Sequence, residues 1–230
     1  MNKRTVVMCY NCGTEISKEA GTLTREHIPA QNLYAGYDDC YKNNRIVVPS
    51  CSTCNNGTND IDEEFRNLIG TISENDQLNT ISSKAARAII NRNKQFERLK
   101  FNSLGNIVGI QFKKDTINNN HKKIFKGLFY HQYGKPIPDN YKIVATFDPT
   151  DSTGSMVQYL TTNFEWRYSG HSDIFDYILQ PFREGLANHD KSDLGPNEDE
   201  NYYLGLLRYN KSHAAIVIAT NQDIKPPTRN

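Results

Sequence analysis

Apolar and polar positions in the first third of the chain predict two short strands followed by a helix. Residues 23–27 form a short run that stops at Pro29, and residues 45–49 form a β-branched run that also stops at a proline. Residues 52–69 predict a turn that continues as a helix, because its apolar side chains recur at spacings of three, four and seven. These apolar side chains are Phe65, Leu68, Ile69 and Ile72.

The middle of the chain predicts a second helix over residues 84–101, preceded by a linker over residues 73–83. Its apolar side chains fall on one helical stripe, with basic residues around it. We take residues 1–72 as one domain and residues 73–104 as a basic linker helix.

Residues 105–230 predict an α+β domain with an antiparallel sheet. Residues 117–133 have the spacing of a helix, and residues 141–147 have the composition of a strand. Further strands are expected at residues 106–113, 156–160, 164–168, 203–209 and 214–219. The last two strands are expected to pair across a turn at residues 210–212, whereas the acidic residues 188–201 predict a loop.

Length and charge narrow the class of protein. The chain has 230 residues and a formal net charge of +1, so it can bury a core and its overall charge does not indicate a nucleic-acid binder. No apolar stretch approaches the length of a membrane span, and Met1 to Arg4 are followed by no long apolar run. We therefore expect a cytoplasmic protein with no membrane partner.

The distribution of charge is uneven. Residues 84–126 contain eleven lysines and arginines but only two acids, Glu97 and Asp115. A basic segment of this kind suits a polyanionic partner, although a solvated helix face is the alternative interpretation. We expect Arg25 and this segment to bind nucleic acid. The residues assigned to that role are Arg25, Lys84, Arg87, Arg92 and Lys94.

Two Cys-x-x-Cys pairs predict a structural zinc site. Cys9 and Cys12 form the first pair, and Cys51 and Cys54 form the second. Zinc takes four tetrahedral ligands, and each pair supplies two from one turn. Disulfides are the alternative, but the expected reducing compartment favours the metal. Cys40 would then remain as a free thiol.

The residues around these pairs indicate hydrolysis of a phosphate ester. Arg25-Glu26-His27-Ile28-Pro29 lies between the pairs, and Asn55-Asn56-Gly57 follows the second. Adjacent strand residues point to opposite sides, so Glu26 and His27 can serve a metal and a water molecule separately. A histidine can accept the proton of that water, and Mg²⁺ or Mn²⁺ takes oxygen ligands. Zinc at Cys54 would fix the position of the Asn55 amide.

This pattern resembles the HNH endonuclease family. The resemblance covers about residues 9–66 and depends on Glu26-His27-Ile28-Pro29 and on Cys51-Ser52-Thr53-Cys54-Asn55. It implies a ββα-metal finger held by a four-cysteine zinc site. By position, His27 is implied as the general base, and Glu26 and Asn55 as ligands of a catalytic Mg²⁺ or Mn²⁺.

The resemblance also implies a middle residue that orients His27. Asn44 matches that role best, Asn43 competes for it, and Asn59 is a further candidate one helical turn beyond Asn55. The chain departs from the family pattern at Glu26, where the family usually has Asp. The longer side chain extends the metal-binding arm by one methylene.

We therefore expect a metal-dependent endonuclease acting on DNA, with RNA less favoured as substrate. The resemblance places such an enzyme in bacterial or phage DNA conflict, with residues 105–230 serving targeting, dimerisation or regulation. A homodimer is the simplest way for a single site to cut both strands. Two alternatives stay open: a non-enzymatic zinc module that binds nucleic acid or protein, and a nuclease effector or toxin activated by a regulatory partner.

Overall fold

The computed structural model describes residues 6–57, 59–72, 85, 87–89, 99–105, 107–147, 151–182, 202–211 and 213–223. This part of the chain combines helices with antiparallel sheets, which confirms the predicted mixed α and β class.

The N-terminal part consists of two β-hairpins followed by two helices. Its elements are β1 (Val6–Met8), β2 (Glu15–Ser17), β3 (Leu23–Ile28), β4 (Ile46–Cys51), α1 (Ser52–Asn56) and α2 (Asn59–Ile72). Strand β1 pairs with β2, and β3 pairs with β4, both in antiparallel register. Two short 3-10 helices, Gln31–Tyr34 and Asp39–Lys42, lie in the connection from β3 to β4. The two strands and the helix predicted over residues 23–69 are therefore present.

The C-terminal part is built on a five-stranded antiparallel sheet. Its elements are β5 (Leu99–Phe101), β6 (Ile107–Ile110), α3 (Lys114–Tyr133), β7 (Tyr141–Phe147), α4 (Asp151–Asn163), β8 (Arg167–Tyr168), β9 (Phe175–Phe182), β10 (Tyr202–Tyr209) and β11 (His213–Asn221). The strand order is β7-β11-β10-β9-β8, and β5 pairs with β6 separately. The predicted pairing of residues 203–209 with residues 214–219 is confirmed.

Both faces of this sheet are covered. Leu207 and Val217 lie in a large core that also contains Phe125 and Phe129 of α3, whereas Leu204 and Ile216 pack with Leu160 of α4 in a second core. Alternate residues of a strand point to opposite faces, so one strand can supply both cores. Helix α3 ends at Gly134, whose φ of 71° suits a glycine C-cap and whose N–H donates to the Tyr130 carbonyl.

Helix α3 also joins the sheet to the β3–β4 hairpin. At Gly127 the helix comes so close to the hairpin that an added Cβ would lie 2.4 Å from Cδ1 of Ile28. Ser169, which follows β8, adds a polar link, because its hydroxyl donates to the Ile28 carbonyl and accepts from the Ile46 N–H. The large core therefore runs without a break from Tyr10 to Ala219.

Two sequence predictions of secondary structure are wrong. Residues 156–160 lie inside helix α4 rather than in a strand. The run is short and apolar, and such a run does not distinguish a strand from a buried helix until its neighbours are packed. Residues 99–101 form strand β5 rather than the end of a helix, because they pair with β6.

Two strands of the sheet differ from expectation. Strand β9 was not predicted, because it is buried on both faces and lacks the alternation on which strand prediction depends. Of residues 164–168, only Arg167–Tyr168 form a strand. Ala85 and residues 87–89 are helical as predicted. The linker 73–83 and the acidic loop 188–201 lie outside the described residues.

Candidate functional site

The four paired cysteines converge at one point. Their sulfur atoms all lie within 4.8 Å of one another, and Cys12 Sγ is 3.8 Å from Cys51 Sγ. A tetrahedron built from Zn–S bonds of about 2.3 Å has edges of about 3.8 Å. The four cysteines are therefore positioned to bind one metal ion, consistent with structural zinc, and all are free of disulfides. Cys40 is a free, exposed thiol.

Local backbone structure positions these sulfurs. The turn between β1 and β2 carries Cys9 and Cys12 and is closed by the Cys9 N–H donating to the Thr14 carbonyl at 2.8 Å. Cys51 ends β4, and α1 carries Cys54. Backbone N–H groups point at two of the sulfurs: Cys51 N–H donates to Cys9 Sγ, and Cys54 N–H donates to Cys51 Sγ. Such donors help to orient sulfur ligands around a metal ion.

The thiols of the cluster differ in acidity. Burial raises the pKa of Cys12, but hydrogen bonds from Thr14 outweigh it and lower the pKa to about 6. Burial, followed by contact with Cys51 and Cys12, raises the pKa of Cys54. Cys12 therefore ionises more readily than Cys54, and a bound cation would favour ionisation of its thiol ligands.

A cleft of about 600 Å³ opens beside the cysteines, between the β3–β4 hairpin, the 3-10 helix Gln31–Tyr34 and helices α1 and α2. We call it the hairpin cleft. It is lined by Arg25, Glu26, His27, Ala30, Gln31, Asn32, Ala35, Asn55, Asp62, Glu63 and Arg66. The sequence-predicted residues Arg25, Glu26, His27 and Asn55 are therefore brought together around one cavity.

Glu26 is 5% exposed and lies between charged partners. Its Oε1 is 3.1 Å from Nζ of Lys123, whereas its Oε2 is buried with no hydrogen-bond partner among the described residues. Burial raises the pKa of Glu26, the ammonium of Lys123 opposes that shift, and the nearby Asp62 adds to it. An unpartnered carboxylate oxygen at the wall of a cleft can serve as a ligand for a hard cation such as Mg²⁺.

His27 follows Glu26 on β3, opposite Val47 of β4, and is half-buried. Burial lowers the pKa of His27, and the positive charge of Arg45 lowers it further. The neutral imidazole is therefore favoured at neutral pH, which is the form that can accept a proton.

Neither Asn44 nor Asn43 lines the hairpin cleft. Asn44 has a left-handed φ of 56°, a conformation that asparagine tolerates better than most residues, and it turns the chain into β4. Its carbonyl accepts from the Gly170 N–H. Asn59, the further candidate, begins α2.

The sequence did not identify Asp62 and Lys123 as site residues. Asp62, on α2, is 6% exposed and receives Lys123 Nζ at 2.9 Å and the Asn120 side-chain amide at 2.9 Å. Lys123 belongs to the basic segment of residues 84–126. No local pattern could pair them, because 61 positions separate Asp62 from Lys123.

Tyr10, in the first cysteine turn, links the cysteine cluster to these carboxylates. It is fully buried, and its hydroxyl has no hydrogen-bond partner among the described residues. Burial raises the pKa of Tyr10, and the charges of Glu26 and Asp62 raise it further. The cluster and the two carboxylates therefore lie close enough to share one electrostatic environment.

The basic segment is only partly described. Lys84, Arg92 and Lys94 lie outside the described residues, and Arg87 is exposed. Lys122, Lys123 and Lys126 of α3 line a second cleft of about 400 Å³, and Lys126 Nζ donates to the Asn11 carbonyl at 2.9 Å. Basic side chains thus lie on the helix whose Lys123 contacts Glu26 at the wall of the hairpin cleft.

Within the described ranges, the helices are too short or too polar to cross a membrane. Comparisons with protein-family models, with curated proteins and with solved structures found no significant match to this chain.

Proposed function

We propose that this protein is a metal-dependent endonuclease of the HNH type that hydrolyses phosphodiester bonds of DNA in the hairpin cleft. The observation that carries the proposal is the convergence of Glu26, His27 and Asn55 on one cavity beside a four-cysteine cluster. The resemblance in sequence assigns these residue types to these positions, and the fold brings them together around one cavity.

His27 accepts the proton of the attacking water, because its environment favours the neutral ring. Glu26 and Asn55 offer a carboxylate and an amide oxygen to Mg²⁺ or Mn²⁺, and the unpartnered Oε2 of Glu26 fits that role. When bound, such an ion neutralises charge on the scissile phosphate and assists the leaving oxygen. Arg25 and Arg66 line the same cleft and can contact the phosphates on either side.

The test is cleavage of supercoiled plasmid by purified protein with Mg²⁺ or Mn²⁺. We expect wild type to nick or linearise the plasmid and His27→Ala to lose at least about 100-fold in rate, with zinc content unchanged. His131→Ala is the matched control, since His131 is an exposed histidine on α3. Labelled RNA of the same sequence tests the nature of the substrate.

If His27→Ala cuts at the wild-type rate, His27 is not the general base. If zinc-loaded wild type cuts neither DNA nor RNA, the non-enzymatic zinc module or the partner-activated effector becomes the better interpretation.

A further inference from the structure

Lys123 is a buried cation between two buried acids from different elements. Its side chain is 8% exposed, and its Nζ is 3.1 Å from Glu26 Oε1 of β3 and 2.9 Å from Asp62 Oδ2 of α2. Lys123 belongs to α3, which lies outside the region of HNH resemblance. The three charges therefore tie the C-terminal part of the chain to the wall of the hairpin cleft.

This arrangement constrains the orientation of the Glu26 carboxylate. A carboxylate has two oxygens, and Lys123 engages Oε1 while Oε2 has no partner among the described residues. Two buried carboxylates without a cation between them repel each other and would separate or take up protons. Lys123 therefore holds both acids in place and leaves Oε2, which is itself buried beside the cleft, as the oxygen of Glu26 without a partner among the described residues.

The position of Lys123 is itself fixed by its surroundings. Asn120, one helical turn earlier on α3, donates to Asp62 Oδ1 at 2.9 Å, and Lys123 Nζ also lies 3.2 Å from that oxygen. One turn later, Gly127 packs directly on Ile28 of β3. These contacts set the height and rotation of α3 against the hairpin, so the ammonium is positioned before any metal binds.

We propose that Lys123 is a positioning residue for the metal site: it turns Oε1 of Glu26 into the protein and so presents Oε2 to a divalent ion in the hairpin cleft. The proposal rests on the proposed function, in which Glu26 is a metal ligand. Helix α3 then completes a metal site whose residues the sequence alone placed entirely within residues 1–72.

The test compares Lys123→Met with Lys122→Met in plasmid cleavage over a range of Mg²⁺ concentrations. Lys122 precedes Lys123 on the same helix and is less buried, so its variant controls for the loss of one positive charge near the substrate. We expect Lys123→Met to raise the half-saturating Mg²⁺ concentration by roughly 10-fold to 100-fold, as loss of a group supporting a metal ligand does. The half-saturating Mg²⁺ concentration of Lys122→Met should stay within about threefold of wild type whatever its cleavage rate, and Lys123→Arg should recover part of the loss, because it restores the charge.

Lys123→Met leaves two buried acids without their cation and can fail to fold. Lys123→Gln then replaces it, since the amide can still donate a hydrogen bond to Glu26. Its zinc content and melting temperature show that it is folded, and a smaller rise in Mg²⁺ requirement is expected, because the charge is lost while one hydrogen bond to Glu26 remains.

Two results would overturn the proposal. A folded Lys123 variant with the wild-type Mg²⁺ requirement would show that Lys123 is merely structural. A lower requirement would show that the ammonium competes with the metal for the carboxylates.

Calorimetric titration with Mn²⁺ distinguishes the positioning role of Lys123 from the proposed nuclease activity. If wild type does not cut but binds Mn²⁺, and Lys123→Met or Lys123→Gln binds it more weakly, then the positioning role stands while the proposed activity falls. If wild type neither cuts nor binds Mn²⁺, both fall.

Discussion

At the scale of single residues, neighbouring side chains with the same chemistry have different environments in this protein. Asn55 and Asn56 are adjacent on α1, but Asn55 lines the hairpin cleft whereas Asn56 is exposed and does not. Histidines differ in the same way: His27 is half-buried at the cleft, and His121 is fully buried in the large core. Position in the fold, rather than residue type, therefore decides which of them can act on a substrate.

The asparagine pair provides a matched test of the metal site. We expect Asn55→Ala to slow metal-dependent cleavage by about 10-fold to 100-fold and to raise the Mg²⁺ requirement, because it removes an oxygen donor from the cleft. Asn56→Ala should behave as wild type. Equal effects of the two substitutions on rate, measured with zinc content confirmed, would argue against a ligand role for Asn55.

His121 predicts a pH dependence of stability. Burial lowers its pKa to about 3, and its Nδ1 lies 3.0 Å from the Tyr209 hydroxyl. The folded protein therefore holds the neutral ring, whereas the unfolded chain binds a proton below about pH 6.5. The resulting stabilisation is fully present above pH 6.5 and is lost as the pH falls from there towards 3.

When the pH falls from 7 to 5, we expect proton uptake by His121 in the unfolded chain to lower the unfolding free energy by about 2 kcal/mol. Denaturant unfolding of wild type and of His121→Gln at both pH values measures it, since glutamine cannot take up the proton. The wild type should lose more stability than the variant by about that amount. If wild type and His121→Gln differ in unfolding free energy by the same amount at pH 7 and pH 5, the low pKa of His121 is contradicted.

At the scale of elements, α3 connects the two parts of the chain. It packs on the β3–β4 hairpin at Gly127 and on the sheet through Phe125 and Phe129. It also delivers Asn120 and Lys123 to the acids of the cleft. Helix α3 therefore brings residues of the C-terminal part to the acids of the candidate site.

Substitution of helix glycines tests this packing. Alanine normally favours a helix over glycine by about 1 kcal/mol. At Gly127, however, the added Cβ would meet Ile28 at 2.4 Å, so we expect Gly127→Ala to lower the unfolding free energy by about 1–3 kcal/mol. At Gly154 of α4 the Cβ meets nothing within 4 Å, and Gly154→Ala should be neutral or stabilising.

Combining Gly127→Ala with Ile28→Val separates packing from backbone effects, because the smaller side chain relieves part of the clash. Denaturant unfolding measures the stability of wild type, Gly127→Ala, Ile28→Val, the double variant and Gly154→Ala. Destabilisation of Gly154→Ala as large as that of Gly127→Ala would contradict the close approach of α3 to the hairpin.

At the scale of the whole molecule, the continuous core predicts cooperative unfolding. The same cluster of buried side chains contains Tyr10 beside the cysteines and Ala219 in the last strand. Parts that share a core lose their contacts together, so the two ends of the chain should unfold in one transition.

Two probes at opposite ends of the chain test this. The single tryptophan, Trp166, lies 3.8 Å from the guanidinium of Arg208 and reports on the C-terminal sheet through its fluorescence. Release of zinc to a coloured chelator reports on the four cysteines. We expect the same midpoint in denaturant for both signals, and separate midpoints would indicate independently folding parts. Cys40→Ser is the control, since it removes a thiol outside the cluster.

Much of the site and part of the fold could be predicted from local signals. The cysteine spacing identified the four-cysteine cluster, and the residue patterns around 23–29 and 45–57 identified the hairpin and the helix that follows it. These features depend on residues close in sequence, where turn geometry and strand alternation leave few arrangements. Strand β9 was missed because it is buried on both faces, and residues 156–160 of α4 were misjudged because a short apolar run has no diagnostic period.

The sequence by itself therefore determined the four cysteines that are positioned to bind a metal ion, the β3–β4 hairpin and the candidate chemistry at Glu26, His27 and Asn55. Tertiary structure alone decided that these three residues line one cleft and that Lys123 joins Glu26 to Asp62. The physical reason is that an ion pair depends on distance in space, and residues 26, 62 and 123 become neighbours only when the core orders α3 against the hairpin. The orientation of Glu26 is thus set by contacts that no local pattern contains.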